Sequence, residues 1–103
     1  MAKLIAIYKQ PTDEAAFNEY YFKTHAPLAK TLPGIRAYEI SKGDVLGASG
    51  KHEAFLVAWL TFDSLAAIQS ALASPEGQAT AADLANFAMA GVDLMMVDTQ
   101  MLL

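Results

Sequence analysis

Hydrophobic residues follow two patterns along the chain: short apolar runs typical of buried strands, and a spacing of three and four residues typical of helices. Runs rich in β-branched and aromatic residues predict four strands, at about residues 3–9, 35–43, 53–62 and 92–102. Apolar residues three and four positions apart predict a helix over about 13–24 and a second helical region after the third strand, divided at Ser74-Pro75. The predicted order is β-α-β-β-α-β. This is the ferredoxin-like plan, an α+β domain in which helices cover one face of an antiparallel sheet.

Short signals mark the ends of these elements. Helix caps are predicted at Thr12 or Asp13, at Asp63 or Ser64, and at Ser74. Pro27 disfavours helical geometry at the residue before it, so we expect the first helix to end close to His25, with room for one further turn before Pro33. The glycine-rich segment 43–53 predicts a hairpin loop or a ragged strand end.

Both faces of the predicted sheet are apolar. On the third strand, Phe55, Val57 and Trp59 share one face, and the residues that alternate with them are apolar as well. The helices can cover one face, but the other face would meet water in a monomer. A second copy presenting the same face would cover it, so the pattern predicts an isologous homodimer.

Composition indicates a single domain over residues 1–103 with more apolar surface than a small monomer hides comfortably. Charged residues make up 17% of the chain, against roughly 25% in an average domain. The net charge is −4 and the basic residues are scattered, which argues against nucleic-acid binding. The chain has no cysteine, and no apolar run approaches the roughly 18 residues that a membrane span needs. We therefore expect a cytoplasmic protein that contacts neither nucleic acid nor membrane.

His25 is the first candidate for a reactive group. It shares one helix face with Phe17 and Tyr21, at positions i, i+4 and i+8. A neutral imidazole can take or give a proton, so His25 is interpreted as a general acid or base and Tyr21 as a hydrogen-bond donor. The alternative is that His25 satisfies a backbone carbonyl at the helix end and that Tyr21 only packs. Tyr20 is interpreted as a packing residue whose hydroxyl lies at the surface.

Five side chains are candidates for binding a ligand: Phe17, Phe55, Trp59, Asp83 and Phe87. Phe55 and Trp59 project from the same side of the third strand and can line an aromatic pocket, although such residues also form plain core. Asp83 can orient His25, although capping and solvation explain most such charges equally well. The sequence contains no motif for a nucleotide, a metal or a serine nucleophile, so no metal and no cofactor are expected.

Two segments of the chain resemble the EthD family of small dimeric α+β-barrel proteins. The first is HAP followed by LPGIRAYEI, over residues 25–40. The second is FLVAWLTF continuing through SPEG to ADLANFAMAG, over residues 55–91. The resemblance implies a dimeric α+β barrel with a cavity between sheet and helices, bordered by the histidine of HAP.

The resemblance also implies a range of functions. Related barrel proteins include lactone isomerases, cofactor-free monooxygenases and polyketide-modifying proteins, and EthD-like proteins are associated with ether degradation. We therefore expect binding of a small apolar, aromatic or polyketide-like molecule for degradation or modification, by oxidoreductase or isomerase chemistry with His25 as acid or base. Whether the chain is an enzyme stays open at this point. The alternatives are a non-catalytic carrier of a hydrophobic ligand and an accessory dimeric module without one.

Overall fold

The computed structural model describes residues 1–103 and is built on a four-stranded antiparallel sheet. In chain order the strands are β1 (Ala2–Lys9), β2 (Ala37–Ile40), β3 (Leu46–Gly47), β4 (Gly50–Lys51), β5 (Ala54–Phe62) and β6 (Val92–Asp98). The main sheet has the order β2-β5-β1-β6, and β3 and β4 form a separate hairpin. Every neighbouring pair in the main sheet is antiparallel. The ferredoxin-like α+β plan predicted from the hydrophobic pattern is confirmed.

The first helical region is longer than predicted and changes its winding in the middle. It consists of α1 (Glu14–Tyr20), a π-helical turn (Tyr21–His25) and α2 (Ala26–Ala29). Asp13 caps its start by accepting the Ala16 N–H at 3.0 Å. The prediction that Pro27 stops the helix near His25 was wrong, and the further turn is present. In the π-turn the Ala26 N–H bonds to the Tyr21 carbonyl, so the wider winding gives room for the proline ring that follows.

The second helical region is divided as predicted. It contains α3 (Leu65–Ala73), α4 (Pro75–Asp83) and a 3₁₀ turn (Leu84–Asn86). Ser64 caps α3 by accepting the Ala67 N–H, and Ser74 caps α4 by accepting the Gly77 N–H, both at 3.0 Å. The cap at Ser74 and the proline after it allow a new helix to begin directly where α3 ends.

Two strands are shorter than predicted. β2 is an edge strand that pairs only with β5. One further backbone bond, from the Ser41 N–H to the Val57 carbonyl at 2.8 Å, follows Ile40 before the chain turns away to form the predicted hairpin. β6 pairs only with β1, whose first residue Ala2 lies opposite Asp98. Only one further backbone bond follows, from the Thr99 N–H to the Met1 carbonyl at 3.1 Å, and β6 ends four residues earlier than the sequence indicated.

The helices cover one face of the sheet only. On β1, Leu4, Ala6 and Tyr8 are buried in the core on the helix side, together with Phe17 and other residues of the helices. The residues that alternate with them lie on the other face, which no helix covers; the apolar ones on the three longest strands are Ile5, Ile7, Val57, Trp59, Met95 and Val97. The molecule is accordingly thin, with extents of 36 × 34 × 17 Å. None of its helices is long and apolar enough to cross a membrane.

Candidate functional site

A cavity of about 270 Å³ lies between the sheet and the helices. Residues of all four main strands contribute to its lining, along with the π-turn, α2, α3 and α4. Fourteen of its sixteen lining residues are hydrophobic, and none is a lysine, arginine, aspartate or glutamate. The polar groups of the lining come from Tyr8, Tyr21, His25, Tyr38 and Thr80. The site is therefore an apolar space with a few polar groups, as small-molecule sites usually are.

Two further hollows are larger, but none of these five polar residues lines either of them. One, of about 670 Å³, is open and lies between α1 and the hairpin, with Glu14, Lys42, Asp44 and Lys51 in its lining. The other, of about 350 Å³, lies beside the start of α1. Neither contains His25, so the smaller, more apolar cavity is the candidate site.

His25 lies at the end of the π-turn and is 4% exposed. Its Nδ1 is 2.9 Å from Oδ2 of Asp83. An ionised carboxylate only accepts hydrogen bonds, so Nδ1 carries the proton and donates a hydrogen bond to Asp83. Nε2, in contrast, has no hydrogen-bond partner. All side-chain nitrogens and oxygens that are fully enclosed in this chain do have one, so Nε2 is not fully enclosed. Nε2 therefore reaches open space, and because the ring lines the cavity, its lone pair is available there.

Asp83 is held by three side chains. Its Oδ1 accepts the Tyr20 hydroxyl at 2.5 Å and the Asn86 amide at 3.0 Å, while Oδ2 bonds to His25. Burial opposes ionisation of the carboxyl, but the hydrogen bonds from Tyr20, Asn86 and His25 together outweigh it and lower the pKa of Asp83. Asp83 is therefore a carboxylate at neutral pH. The sequence-based idea that this residue could orient His25 agrees with the hydrogen bond between them.

The pKa of His25 is lowered from its ordinary value. Burial disfavours the imidazolium, and the hydrogen bond and negative charge of Asp83 act in the opposite direction without overcoming it. The ring is therefore neutral at neutral pH, with a proton on Nδ1 and a free lone pair on Nε2. This is the state that a general base requires.

Three tyrosines complete the polar part of the cavity. The Tyr21 and Tyr38 hydroxyls are 2.5 Å apart and share a hydrogen bond. The ring of Tyr8 packs edge-on against Tyr21, with 5.7 Å between centroids. Burial raises the pKa of all three, most strongly for Tyr8 and Tyr21. All three are therefore neutral phenols. In the Tyr21–Tyr38 pair one hydroxyl donates to the other, so the pair has one O–H left to donate, and Tyr8 has its own.

Three phenylalanines support the polar rings of the cavity by packing. Phe87 packs on the His25 ring at 4.6 Å between centroids, and Phe17 stacks on Tyr21 at 5.9 Å. Phe55 packs edge-on against Phe17 at 5.2 Å. None of the three phenylalanines lines the cavity. They fix the orientation of the polar rings and do not form the cavity wall.

Trp59 lies away from the site. It pairs with Ile5 on β1 and occupies the sheet face that no helix covers. The expectation that Phe55 and Trp59 line one aromatic pocket was therefore wrong. Phe55 is the extra residue at a β-bulge, where the register shifts between the pair Tyr8–Leu56 and the pair Lys9–Ala54. The bulge turns the side chain of Phe55 towards Phe17, and the simple alternation along the strand no longer holds there.

Other residues have roles that the sequence did not indicate. Tyr20 stacks on Phe87 at 5.4 Å, as a packing residue would, and its half-buried side chain also donates a hydrogen bond to Asp83, a structural role that the sequence did not indicate. Tyr8 and Tyr38 were not singled out, although Tyr8 shares a strand face with the core residues Leu4 and Ala6. That shared face was the one signal that could have placed Tyr8 on the helix side. No group of three or more His, Cys, Asp or Glu side chains is arranged to hold a metal ion.

Comparison with known proteins gives a family match and a set of structural relatives. The family model described as the EthD domain matches residues 9–91. A Rhodococcus erythropolis protein, named as an uncharacterized 11.0 kDa protein in the thcB-thcC intergenic region, is 39% identical over 103 residues, covering 100% of this chain and 99% of that protein. An ethyl tert-butyl ether d (ethd) family protein from Bacillus halodurans is 36% identical, with a TM-score of 0.87 over 97% of this chain and 99% of its own.

More distant structures share the fold. A point mutant of SnoaB from Streptomyces nogalater, described as a cofactor-independent oxygenase, is 18% identical with a TM-score of 0.65, over 98% of this chain and 95% of its own. A dimeric ferredoxin-like protein of unknown function from Thermobifida fusca is 16% identical with a TM-score of 0.67, over 95% and 90% of the two chains. At these identities the likeness concerns the fold alone.

Proposed function

Because the chain belongs to the EthD family, we propose that it binds a small apolar molecule between sheet and helices and transfers a proton to or from it through His25. The observation that carries this proposal is the buried pair of His25 and Asp83, with Nδ1 and Oδ2 2.9 Å apart and Nε2 open to an apolar cavity. Buried acid–base pairs that face a cavity are typical of sites where protons move.

The proposed step is removal of a proton from the ligand. Nε2 takes a proton from an acidic C–H or O–H, its lone pair forms the new N–H bond, and the electron pair of the broken bond stays on the ligand. The imidazolium that results is stabilised by the charge of Asp83. A neutral tyrosine hydroxyl in the cavity can donate to the oxygen on which negative charge develops. Proton removal of this kind is a first step shared by isomerases and cofactor-independent oxygenases, so both reaction types fit the proposal.

The cavity limits the size and charge of the ligand. An apolar cavity of about 150 Å³ is enough for benzene, so about 270 Å³ accommodates about one or two fused rings. The lining carries no cationic side chain, and the carboxylate of Asp83 lies directly behind His25. An anionic ligand would be repelled without compensation, which favours a neutral one. The polyketide-like ligands that the family resemblance implies are therefore restricted to small members of that class.

We further propose that residues 1–103 act as one domain of a homodimer. The centre of the uncovered sheet face is apolar, with Lys3, Glu39 and Asp93 around it, and structural relatives include proteins described as dimeric and ferredoxin-like. Pairing two such faces would form the α+β barrel that the family resemblance implies. A cytoplasmic location stays a prediction from the sequence.

Exchange of a carbon-bound proton tests the catalytic part of the proposal. The probe is 2-tetralone, a neutral bicyclic ketone with acidic hydrogens next to its carbonyl group. In D₂O, the wild-type protein is expected to accelerate replacement of those hydrogens by deuterium, measured by proton NMR. His25→Gln should lower the protein-dependent rate by at least about 100-fold, since general bases contribute that much or more. His52→Gln is the matched control, because His52 is exposed beside the hairpin.

Two results would contradict base catalysis. Equal exchange rates in His25→Gln and wild type would remove His25 from the reaction. Binding of 2-tetralone without any exchange above the buffer rate would support the carrier alternative, which the mainly apolar lining also suits. A carrier should bind the ketone almost equally well in wild type and in His25→Gln.

A further inference from the structure

Tyr8 has the only tyrosine hydroxyl in the chain without a hydrogen-bond partner. The Tyr20 hydroxyl donates to Asp83, and the hydroxyls of Tyr21 and Tyr38 bond to each other. Tyr8 as a whole is only 2% exposed. Since every fully enclosed side-chain oxygen in the chain has a partner and the Tyr8 hydroxyl has none, that hydroxyl is not fully enclosed. Its ring lines the cavity. Its hydroxyl therefore reaches open space, and the cavity that its ring lines is the space beside it.

The position of this hydroxyl is fixed by the packing of its ring. Tyr8 is surrounded by Phe17, Tyr21 and Phe87, at centroid distances of 5.5, 5.7 and 5.6 Å. β1 is a central strand, paired with β5 on one side and β6 on the other. A donor on such a rigid element loses little entropy when it binds a ligand, which is the property expected of a preorganised contact.

The chemical state of Tyr8 makes it a donor. Burial, followed by the nearness of Tyr38 and Asp83, raises its pKa, so the phenol keeps its proton at neutral pH. A buried O–H without a partner is costly, and such groups in native structures usually have a partner that the isolated chain does not supply. The natural partner for a phenol O–H in an apolar space is an acceptor oxygen.

We infer that Tyr8 is a ligand-binding residue, whose hydroxyl donates a hydrogen bond to an uncharged oxygen on the small apolar molecule held in this cavity. This inference rests on the proposed function, because it assigns a contact within the same cavity. It also narrows the ligand class: the molecule is a neutral ring compound that carries a carbonyl, ether or hydroxyl oxygen. A pure hydrocarbon would leave the hydroxyl unpaired, and a carboxylate would approach Asp83 unfavourably.

The cavity offers a ligand two polar contacts, one acceptor and one donor. Nε2 of His25 is an acceptor open to the cavity and the Tyr8 hydroxyl is a donor open to it, and both rings pack against Phe87. A ligand oxygen bonded to Tyr8 would gain stabilisation when the neighbouring carbon or hydroxyl loses a proton to His25. Tyr8 would then favour the charged intermediate over the bound starting molecule.

A pair of matched ligands tests the inference. 2-Tetralone and tetralin have the same bicyclic frame and differ by one carbonyl oxygen, and the dissociation constant of each is measured by equilibrium dialysis with wild type and with Tyr8→Phe. Removal of the hydroxyl should raise the ratio of the 2-tetralone constant to the tetralin constant by about fivefold, the effect of one neutral hydrogen bond. The tetralin constant should stay within about twofold, because the ring is kept.

The other possible results separate a failure of the proposed function from a failure of the assignment of Tyr8. If wild type binds neither compound, the cavity does not hold small apolar molecules and the proposed function itself fails. If both bind and Tyr8→Phe leaves the ratio unchanged, the proposed function stands and the assignment of Tyr8 is overturned. Equal weakening of both ligands in Tyr8→Phe would mean that Tyr8 acts by packing, which also overturns it. A thermal unfolding curve for Tyr8→Phe verifies that the variant is folded.

Discussion

The candidate site combines two side chains whose surroundings act on their charges in different ways. Burial lowers the pKa of His25 and keeps the imidazole neutral, while three hydrogen bonds lower the pKa of Asp83 and keep it ionised. Tyr20 and Asn86 are responsible for two of those bonds, so they act on His25 through the carboxylate. The result is a base with a defined tautomer and one free nitrogen.

The buried neutral state of His25 should be visible in the pH dependence of stability. An unfolded histidine binds a proton with a pKa near 6.5, and the pKa of folded His25 is lower. Between these two values the unfolded state holds more protons, so the free energy of unfolding should fall as the pH falls below about 6.5, by at most about 1.4 kcal/mol per pH unit. His25→Gln should remove this part of the slope in urea unfolding measured from about pH 5 to about pH 8.

The exposed histidine provides the control for that measurement. His52→Gln replaces the other histidine of the chain and leaves His25 in place, so it should keep the slope that His25 produces. A slope that survives in His25→Gln and disappears in His52→Gln would mean that the buried ring is not the group that titrates.

Among individual residues, the sequence predicted part of the site. The face shared by Phe17, Tyr21 and His25 followed from helical spacing, and all three residues are buried on one side of the helix. The bond from Tyr20 to Asp83 spans 63 positions in the chain, so no local pattern could indicate it. The open hydroxyl of Tyr8 depends on which other hydroxyls are paired, and only the folded structure determines that.

Among the elements, the junction of α3 and α4 is the most tightly constrained. The two helices are separated by Ser74 alone, and Gly77 in the first turn of α4 lies against the last turn of α3. A Cβ atom on Gly77 would overlap the Ala71 carbonyl oxygen and lie 2.5 Å from the Leu72 Cα. Both are backbone atoms, so they cannot move aside as a flexible side chain would.

Gly77→Ala should therefore destabilise the protein strongly. Relief of the overlap requires the two helices to move apart, and we expect a loss of about 3 kcal/mol. For a domain of this size that corresponds to a fall in Tm of about 12–24 °C, measured by circular dichroism. Gly47→Ala in the hairpin is the control, because a Cβ there comes no closer than 3.4 Å to another atom. A Tm for Gly77→Ala within about 2 °C of wild type would contradict the predicted overlap.

The elements themselves were largely predictable, and their ends less so. The caps at Asp13, Ser64 and Ser74 were visible because capping depends on a few neighbouring residues. The π-turn before Pro27 was not, since a proline ends most helices and is accommodated only when the winding changes. The end of β6 depends on the length of β1, which is a property of the pairing and not of the β6 sequence.

The whole molecule has more surface than its mass requires. A folded monomer of 11.0 kDa should expose about 5,600 Å², whereas this chain exposes 6458 Å². The excess is close to the roughly 800 Å² that each partner buries in a standard interface. A single sheet with helices on one face gives the thin shape with its 17 Å extent, and a second copy on the uncovered face would remove the excess.

A charge on the uncovered face should therefore prevent association. Ile5 lies between Trp59 and Met95 on that face. Wild type is expected to have twice the 11.0 kDa chain mass in size-exclusion chromatography with light scattering, and Ile5→Glu should have the mass of one chain, because a buried unpaired carboxylate costs several kcal/mol. Leu46→Glu, on the exposed hairpin, should leave the dimer intact. A monomeric wild type, or a dimeric Ile5→Glu, would refute the proposed interface.

The distribution of aromatic residues gives the protein two separate optical probes. The chain contains one tryptophan and four tyrosines. Trp59 lies on the uncovered sheet face, and all four tyrosines lie on the side of the helices, three of them in the cavity lining. Indole fluorescence should therefore follow the meeting of two copies, while the ultraviolet absorbance of the phenols follows entry of a ligand. Both events can be recorded in the same sample without attaching a dye.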